Sequence, residues 1–197
     1  MLFERTALSK KPARLVRLEL AALRAEDKLT PDLVFRDPYF LDFLHLNGAY
    51  SEKDLETAIL REIEKFIVEL GAGFTFVARQ KRMMVGGNDY YLDLLFYHRK
   101  LRCLVAIELK LGKFQPADKG QMELYLRWLE KYDVQPGENP PIGLILCGNK
   151  DHEDIELLKL DGSGVRVAEY LTELPSREML TRKLHDAIRI SRELCER

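Results

Sequence analysis

Cys103-Leu104-Val105-Ala106-Ile107-Glu108-Leu109-Lys110-Leu111 carries the reading that decides the fold. Without Glu108 and Lys110 it is a continuous apolar run, the pattern of a strand buried on both faces. Side chains alternate along a strand, so Glu108 and Lys110 share a face and project together. Burying either charge without compensation is expensive. The preceding segment, Tyr91-Leu92-Asp93-Leu94-Leu95-Phe96-Tyr97, is a second apolar and aromatic strand whose single charge is Asp93. His98-Arg99-Lys100 reads as the turn between the two. Pairing through that turn brings Asp93 toward Glu108. Two close carboxylates repel, and one stays protonated unless a cation lies between them. A hard divalent ion such as Mg²⁺ resolves the repulsion, because it takes oxygen ligands and keeps several waters. Lys110 then stands beside the metal site. The plain alternative is a structural Asp/Glu–Lys pair. Buried ion pairs stabilise poorly, which argues against three charges placed here for stability alone.

The segments on either side fix the chain order. Phe74 to Val85 is a long strand with Arg79, Lys81 and Arg82 in its second half, closed by the hairpin turn Gly86-Gly87-Asn88. Before it, Ser51-Glu52-Lys53-Asp54 has the spacing of a capping box, with Asp where Glu is best. The spacing predicts one helix from there to Leu70, stopped by Gly71-Ala72-Gly73. At about 100° per residue, Leu55, Ile59, Leu60, Ile63, Phe66, Ile67 and Leu70 form one apolar arc. Glu56 falls inside that arc, Glu62 at its edge, and Glu64 and Glu69 outside it. After the central strand, a loop from Gly112 to Pro116 leads into a crossover helix from about Asp118 to Lys131. Ile142–Cys147 and Val165–Leu171 follow as strands, and Glu178 to about Leu194 as an amphipathic helix. The order is helix, three strands, helix, two strands, helix. It predicts an α/β architecture, a mixed β-sheet flanked by helices, and not a doubly wound parallel fold.

Residues 1–50 read as a short helical N-terminal extension, and 51–197 as the main domain. Within the extension, residues 13–26 have helical spacing, and Tyr39, Phe40, Phe43 and Leu44 suggest a short apolar helix. The chain starts as though in mid-protein, so a fragment or truncated member with a preceding domain is expected.

Composition bounds the function classes. Of 197 residues, 46% are apolar and 32% charged, which excludes disordered, collagenous and low-complexity chains. No apolar run approaches the roughly 18 residues of a membrane helix. No secretory signal opens the sequence, and the three cysteines show no zinc spacing, so a reducing cytoplasm is expected. Net charge is −1, but residues 79–119 carry +5 and the remainder −6. The basic segment is a candidate surface for an anionic ligand, or a hairpin edge protected by charge. His45, His98, His152 and His185 have no ligand spacing and read as surface or turn residues. Trp128 reads as packing for the crossover helix, and Tyr90, Tyr91 and Tyr97 as core or sheet-face residues. Asp89 rivals Asp93 on its strand face but lies nearer the turn.

An Asp followed by Glu-x-Lys, after a helix, resembles the PD-(D/E)XK nuclease superfamily. Within it, Arg79-Gln80-Lys81-Arg82, Val85-Gly86-Gly87, Tyr91 to His98 and Ala106 to Gly112 look like the nuclease domain of YhcG-type bacterial proteins. The resemblance covers most of residues 31–170 and implies a restriction-endonuclease-like sheet. It implies that Asp93, Glu108 and the Leu109 carbonyl hold Mg²⁺ or Mn²⁺, and that Lys110 is the catalytic lysine. Glu56 matches the acid many members carry on the first helix. Gln121 and Tyr125 match a Gln-x-x-x-Tyr motif and lie on one helical face. Leu92 stands where the superfamily name has Pro.

The implied activity is metal-dependent hydrolysis of phosphodiester bonds, with DNA ahead of RNA as substrate. Arg79, Lys81, Arg82, Lys113 and Lys119 are the candidate phosphate contacts. A non-cleaving nucleic-acid-binding or assembly module on the same fold is the alternative, and a homodimer is among the expectations.

Overall fold

The computed structural model describes residues 30–46, 48–158, 160 and 163–173. The helices expected at 13–26 and 178–194, with His185 and Cys195, lie outside them.

Each element follows from its local sequence. After α1 (Pro31–Val34), β1 (Tyr39–Phe40) and a 3-10 turn (Asp42–Leu44) come α2 (Glu52–Arg61) and α3 (Ile63–Leu70). The capping box forms as read, with the Ser51 side chain and Asp54 exchanging hydrogen bonds. The hairpin strands are β2 (Phe74–Val85) and β3 (Asn88–His98), followed by β4 (Cys103–Lys113), α4 (Pro116–Tyr132), β5 (Ile142–Asn149), α5 (His152–Leu157) and β6 (Val165–Leu171). They form a six-stranded mixed sheet in the order β1-β6-β5-β4-β3-β2. The β2–β3 and β3–β4 pairs are antiparallel, and β4–β5, β5–β6 and β1–β6 are parallel.

The layers explain the unbroken apolar run of β4. Val105, Ile107 and Leu109 pack with Leu55 and Ile59 of α2 and Phe66 and Leu70 of α3. Leu104 and Ala106 pack on the opposite face, with Met122, Tyr125, Leu126 and Leu129 of α4. Helices therefore cover both faces of the central strands. Gly143 on β5 sets how closely α4 approaches, because a Cβ there would lie 2.5 Å from the Met122 side chain.

Several expectations are corrected. The helix from 51 to 70 is two helices, broken at Glu62, where φ is −107° and ψ 32°. Phe66 and Leu70 of the second half still join the same core as Leu55 and Ile59. Glu69, expected outside the apolar arc, is buried, and its Oε1 accepts the Phe40 N–H at 2.8 Å. Tyr39 and Phe40 are strand, not helix, because their backbone pairs with Tyr170 and Leu171. The expected loop after Leu111 begins later, since β4 runs to Lys113. His98 is not a surface residue. It is fully buried as the last residue of β3, its Nδ1 accepts the Leu101 N–H at 3.1 Å, and the turn follows it. Burial pushes its pKa below the ordinary histidine value. Its ring also explains Gly73, whose φ is +102° and whose Cβ would lie 3.0 Å from Nε2.

Candidate active site

The site arises where the sheet loses its regularity. The β3–β4 ladder is regular from His98–Cys103 to Leu94–Ile107 and pairs no further. At that point the alternation of β3 slips: Leu94 and Phe96 join the core under α2 and α3, while Leu92 and Leu95 join the core under α4. The Leu109 N–H, beyond the last β4 residue that pairs with β3, donates to Asp93 Oδ2 at 2.9 Å. A carboxylate thus completes the ladder and is pinned at the point where the strands part.

Glu108 projects from β4 toward α4, on the face of Leu104 and Ala106. It is 6% exposed. Its Oε1 lies 3.3 Å from Lys110 Nζ and 3.5 Å from Gln121 Nε2. Its Oε2 is buried with no hydrogen-bond partner among the described residues. Burial, and next the charge of Asp93, push the Glu108 carboxyl up to about 8, against the pull of Lys110. Burial also raises Asp93, opposed by the hydrogen bonds from Leu109 and Gln80. For Lys110, burial pulls the ammonium down, but the neighbouring Glu108 outweighs it and holds the pKa above its ordinary value. Gln121 Nε2 donates to Tyr125 Oη at 2.5 Å, and that hydroxyl donates to the Tyr91 carbonyl at 3.4 Å. This chain from α4 to β3 orients the amide that meets Glu108.

Glu56 lies on the other side of Asp93. Burial, and then the Asp93 charge, raise its pKa. The link between the two acids is Gln80, a residue read in the sequence only as part of a basic run. Its Nε2 donates to Glu56 Oε2 at 2.8 Å and to Asp93 Oδ1 at 3.1 Å. Gln80 has φ +43° inside a strand, a conformation that costs an L-residue about 1–2 kcal/mol. Glu52, in the first turn of α2, accepts the Leu111 N–H at 3.3 Å. No sequence signal marked either residue, since exposed polar groups in a polar stretch carry no burial cost.

The basic candidates differ in position. Lys81 pairs with Asp133 at 2.7 Å and lies over the Trp128 ring. Arg82 pairs with Asp89 at 2.9 Å, which places the rival acid in an ion pair near the hairpin turn. Lys113 pairs with Asp154 at 3.1 Å and Asp151 at 3.5 Å, and Lys119 with Glu123 at 2.6 Å. Arg79 is exposed, and its charge acts on Glu56. Trp128 packs at the edge of the α4 core, its Nε1 donating to the Met84 carbonyl at 3.2 Å.

Among the described residues no three His, Cys, Asp or Glu side chains converge as a closed metal cage. The oxygen donors available are the Asp93 and Glu108 carboxylates and, next along β4, the Leu109 carbonyl. That set fits Mg²⁺, which proteins hold through one or two carboxylates with water completing the shell. The buried, unpartnered Oε2 of Glu108 beside a like charge supports the same fit.

The model of the YhcG PDDEXK nuclease domain matches residues 32–185. The chain belongs to the YhcG PDDEXK nuclease domain family. It is 40% identical over 184 residues to a protein of Escherichia coli (strain K12) named "Putative nuclease YhcG", across 92% of this chain and 48% of that one. The chain thus spans about half the length of that relative. Among solved structures it is similar to a repair endonuclease from Pyrococcus abyssi, with 22% identity and a TM-score of 0.43 over 66% of this chain and 50% of that one. It is also similar to EndoMS in a complex with double-stranded DNA, with 21% identity and a TM-score of 0.44 over 68% and 49%. The mixed sheet with helices on both faces is the restriction-endonuclease-like fold expected of a YhcG-type domain. No described helix is long and apolar enough to cross a membrane.

Proposed function

We propose that this YhcG-type domain is a divalent-metal-dependent nuclease acting on phosphodiester bonds, with DNA as its expected substrate. The observation that carries the reading is Glu108: a nearly buried carboxylate with one oxygen unpartnered among the described residues, set beside a second carboxylate at a break in the sheet. A site built for stability alone would pair that oxygen.

Asp93 and Glu108, with the Leu109 carbonyl, would hold Mg²⁺ or Mn²⁺. When bound, the ion polarises the phosphate and lowers the pKa of water. The residues of the chain supply the rest. Lys110, cationic and 3.3 Å from Glu108, donates to the attacking water or a phosphate oxygen and offsets the charge that grows as water adds to phosphorus and the leaving P–O bond breaks. Gln121, oriented by Tyr125, steadies the Glu108 carboxylate. Glu56 extends the acidic wall beyond Asp93 and accepts hydrogen bonds from bound water. Arg79 offers its charge to phosphate directly. For Lys81, Arg82, Lys113 and Lys119, phosphate binding exchanges an internal carboxylate partner for an external phosphate, which adds little net affinity per contact.

The test is cleavage of labelled duplex, branched and single-stranded DNA and of RNA, with Mg²⁺, Mn²⁺ or EDTA. Asp93→Asn and Lys110→Met are run beside the wild type. Metal-dependent cleavage falling about 10³-fold in both variants is expected. Cleavage that survives EDTA or both substitutions would overturn the reading. Metal-dependent binding without cleavage of any substrate would favour a non-cleaving binding module.

A further inference from the structure

Gln80 occupies a place that its residue type and backbone make informative. It stands on β2 between Arg79, paired with Leu94, and Lys81, paired with Leu92, and so opposite Asp93. Its φ of +43° departs from the extended backbone on either side. A glutamine amide nitrogen carries two N–H donors. Here both are spent on carboxylates, Glu56 Oε2 at 2.8 Å and Asp93 Oδ1 at 3.1 Å. Both neighbours are acceptors, so the nitrogen and not the oxygen must face them.

We infer that Gln80 is a positioning residue that fixes Asp93 and Glu56 relative to one another for cation binding. The inference rests on the metal-dependent reading above. Asp93 needs two constraints to present a defined face: the Leu109 N–H holds Oδ2 from β4, and Gln80 holds Oδ1 from β2. The choice of an amide follows from charge. Lys or Arg at this position would tie the same acids but neutralise them and repel a cation. Gln binds both carboxylates and leaves their negative potential in place. The unfavourable backbone at Gln80 is tolerated because it aims the amide between the two acids. Partners that orient a metal ligand in this way tune affinity strongly.

Two substitutions separate positioning from stability. Gln80→Gly removes the side chain and also relieves the positive φ, which glycine adopts freely. Gln80→Met keeps length and volume and removes only the donors. The readout is the Mn²⁺ dissociation constant by calorimetry on the whole chain, with the melting temperature and the Mn²⁺ dependence of cleavage measured beside it. The expected result is Mn²⁺ binding about tenfold weaker in both variants, with the Gln80→Gly melting temperature no lower than wild type. Excess Mn²⁺ should restore much of the lost kcat, with little change in KM for the nucleic acid. If the wild type binds Mn²⁺ and both variants bind it equally well, the positioning role is overturned while the nuclease reading stands. If the wild type binds no Mn²⁺, both fall together.

Discussion

Two clusters of partly buried charge lie toward opposite edges of the same sheet, and they are built on opposite terms. At the β1–β6 edge each charge meets its complement. Asp37 accepts from Lys150 Nζ and from the Glu169 N–H at 3.1 Å, and Lys150 also donates to the Val167 carbonyl at 3.0 Å. Glu69 accepts the Phe40 N–H at 2.8 Å and lies 3.8 Å from the Arg36 guanidinium, which also donates to the Glu69 carbonyl. Toward the other edge, Asp93 acts on Glu56 and on Glu108 with a like charge. Their pKa values are all raised, and Lys110 is the one cation bonded to any of them among the described residues. Satisfied polar networks specify structure, while a half-satisfied one is costly and persists where function needs it. The first cluster docks β1 onto the sheet. The second keeps a negative potential that folding alone would remove.

That contrast can be broken from the structural side first. Lys150→Met should destabilise the chain by about 3 kcal/mol, because it leaves Asp37 beside the core without its cation. Thermal unfolding should show this as a fall of roughly 10 °C. The metal concentration that half-activates cleavage should not move. A shift in that concentration would mean that the two clusters are coupled.

A smaller effect comes from the far end of β3. His98 is buried with a lowered pKa, so below the ordinary value of about 6.5 the unfolded chain takes up a proton that the folded chain refuses. Its contribution to stability is therefore full above that pH and declines as pH falls below it. His98→Asn keeps an acceptor for the Leu101 N–H and should flatten the decline between pH 6.5 and 5.5, read as the difference between the two denaturation curves. Parallel curves would mean that His98 is protonated in the fold.

The parts of this molecule that were legible in the sequence are those with a burial signal. Asp93, Glu108 and Lys110 stood out because each interrupts an apolar strand, and Glu56 because it lies on the apolar arc of its helix. Strands β4 and β5 were legible because both of their faces are buried over most of their length, and β2 because a glycine hairpin turn closes it. Two-residue β1 has no period to read, and its identity as strand depends on a parallel partner more than 130 residues away. The break at Glu62 leaves the apolar arc almost unchanged, so it was invisible, and with it the burial of Glu69. His98 gave no warning because a histidine before Arg-Lys looks like turn chemistry, while its cavity is shaped by Gly73 across the sheet. Gln80 was silent because its value lies in two long-range hydrogen bonds made by a neutral, exposed residue.

The comparison rests most directly on Glu108→Gln, studied for stability and cleavage in the same preparation. The substitution keeps shape and removes the acid whose ionised form burial and Asp93 oppose. The variant should be more stable at pH 7.5, by on the order of 1 kcal/mol, with metal-dependent cleavage lost by about 10³-fold. A variant that is less stable than wild type and cleaves at the wild-type rate would contradict this, and would make Glu108 one more structural charge.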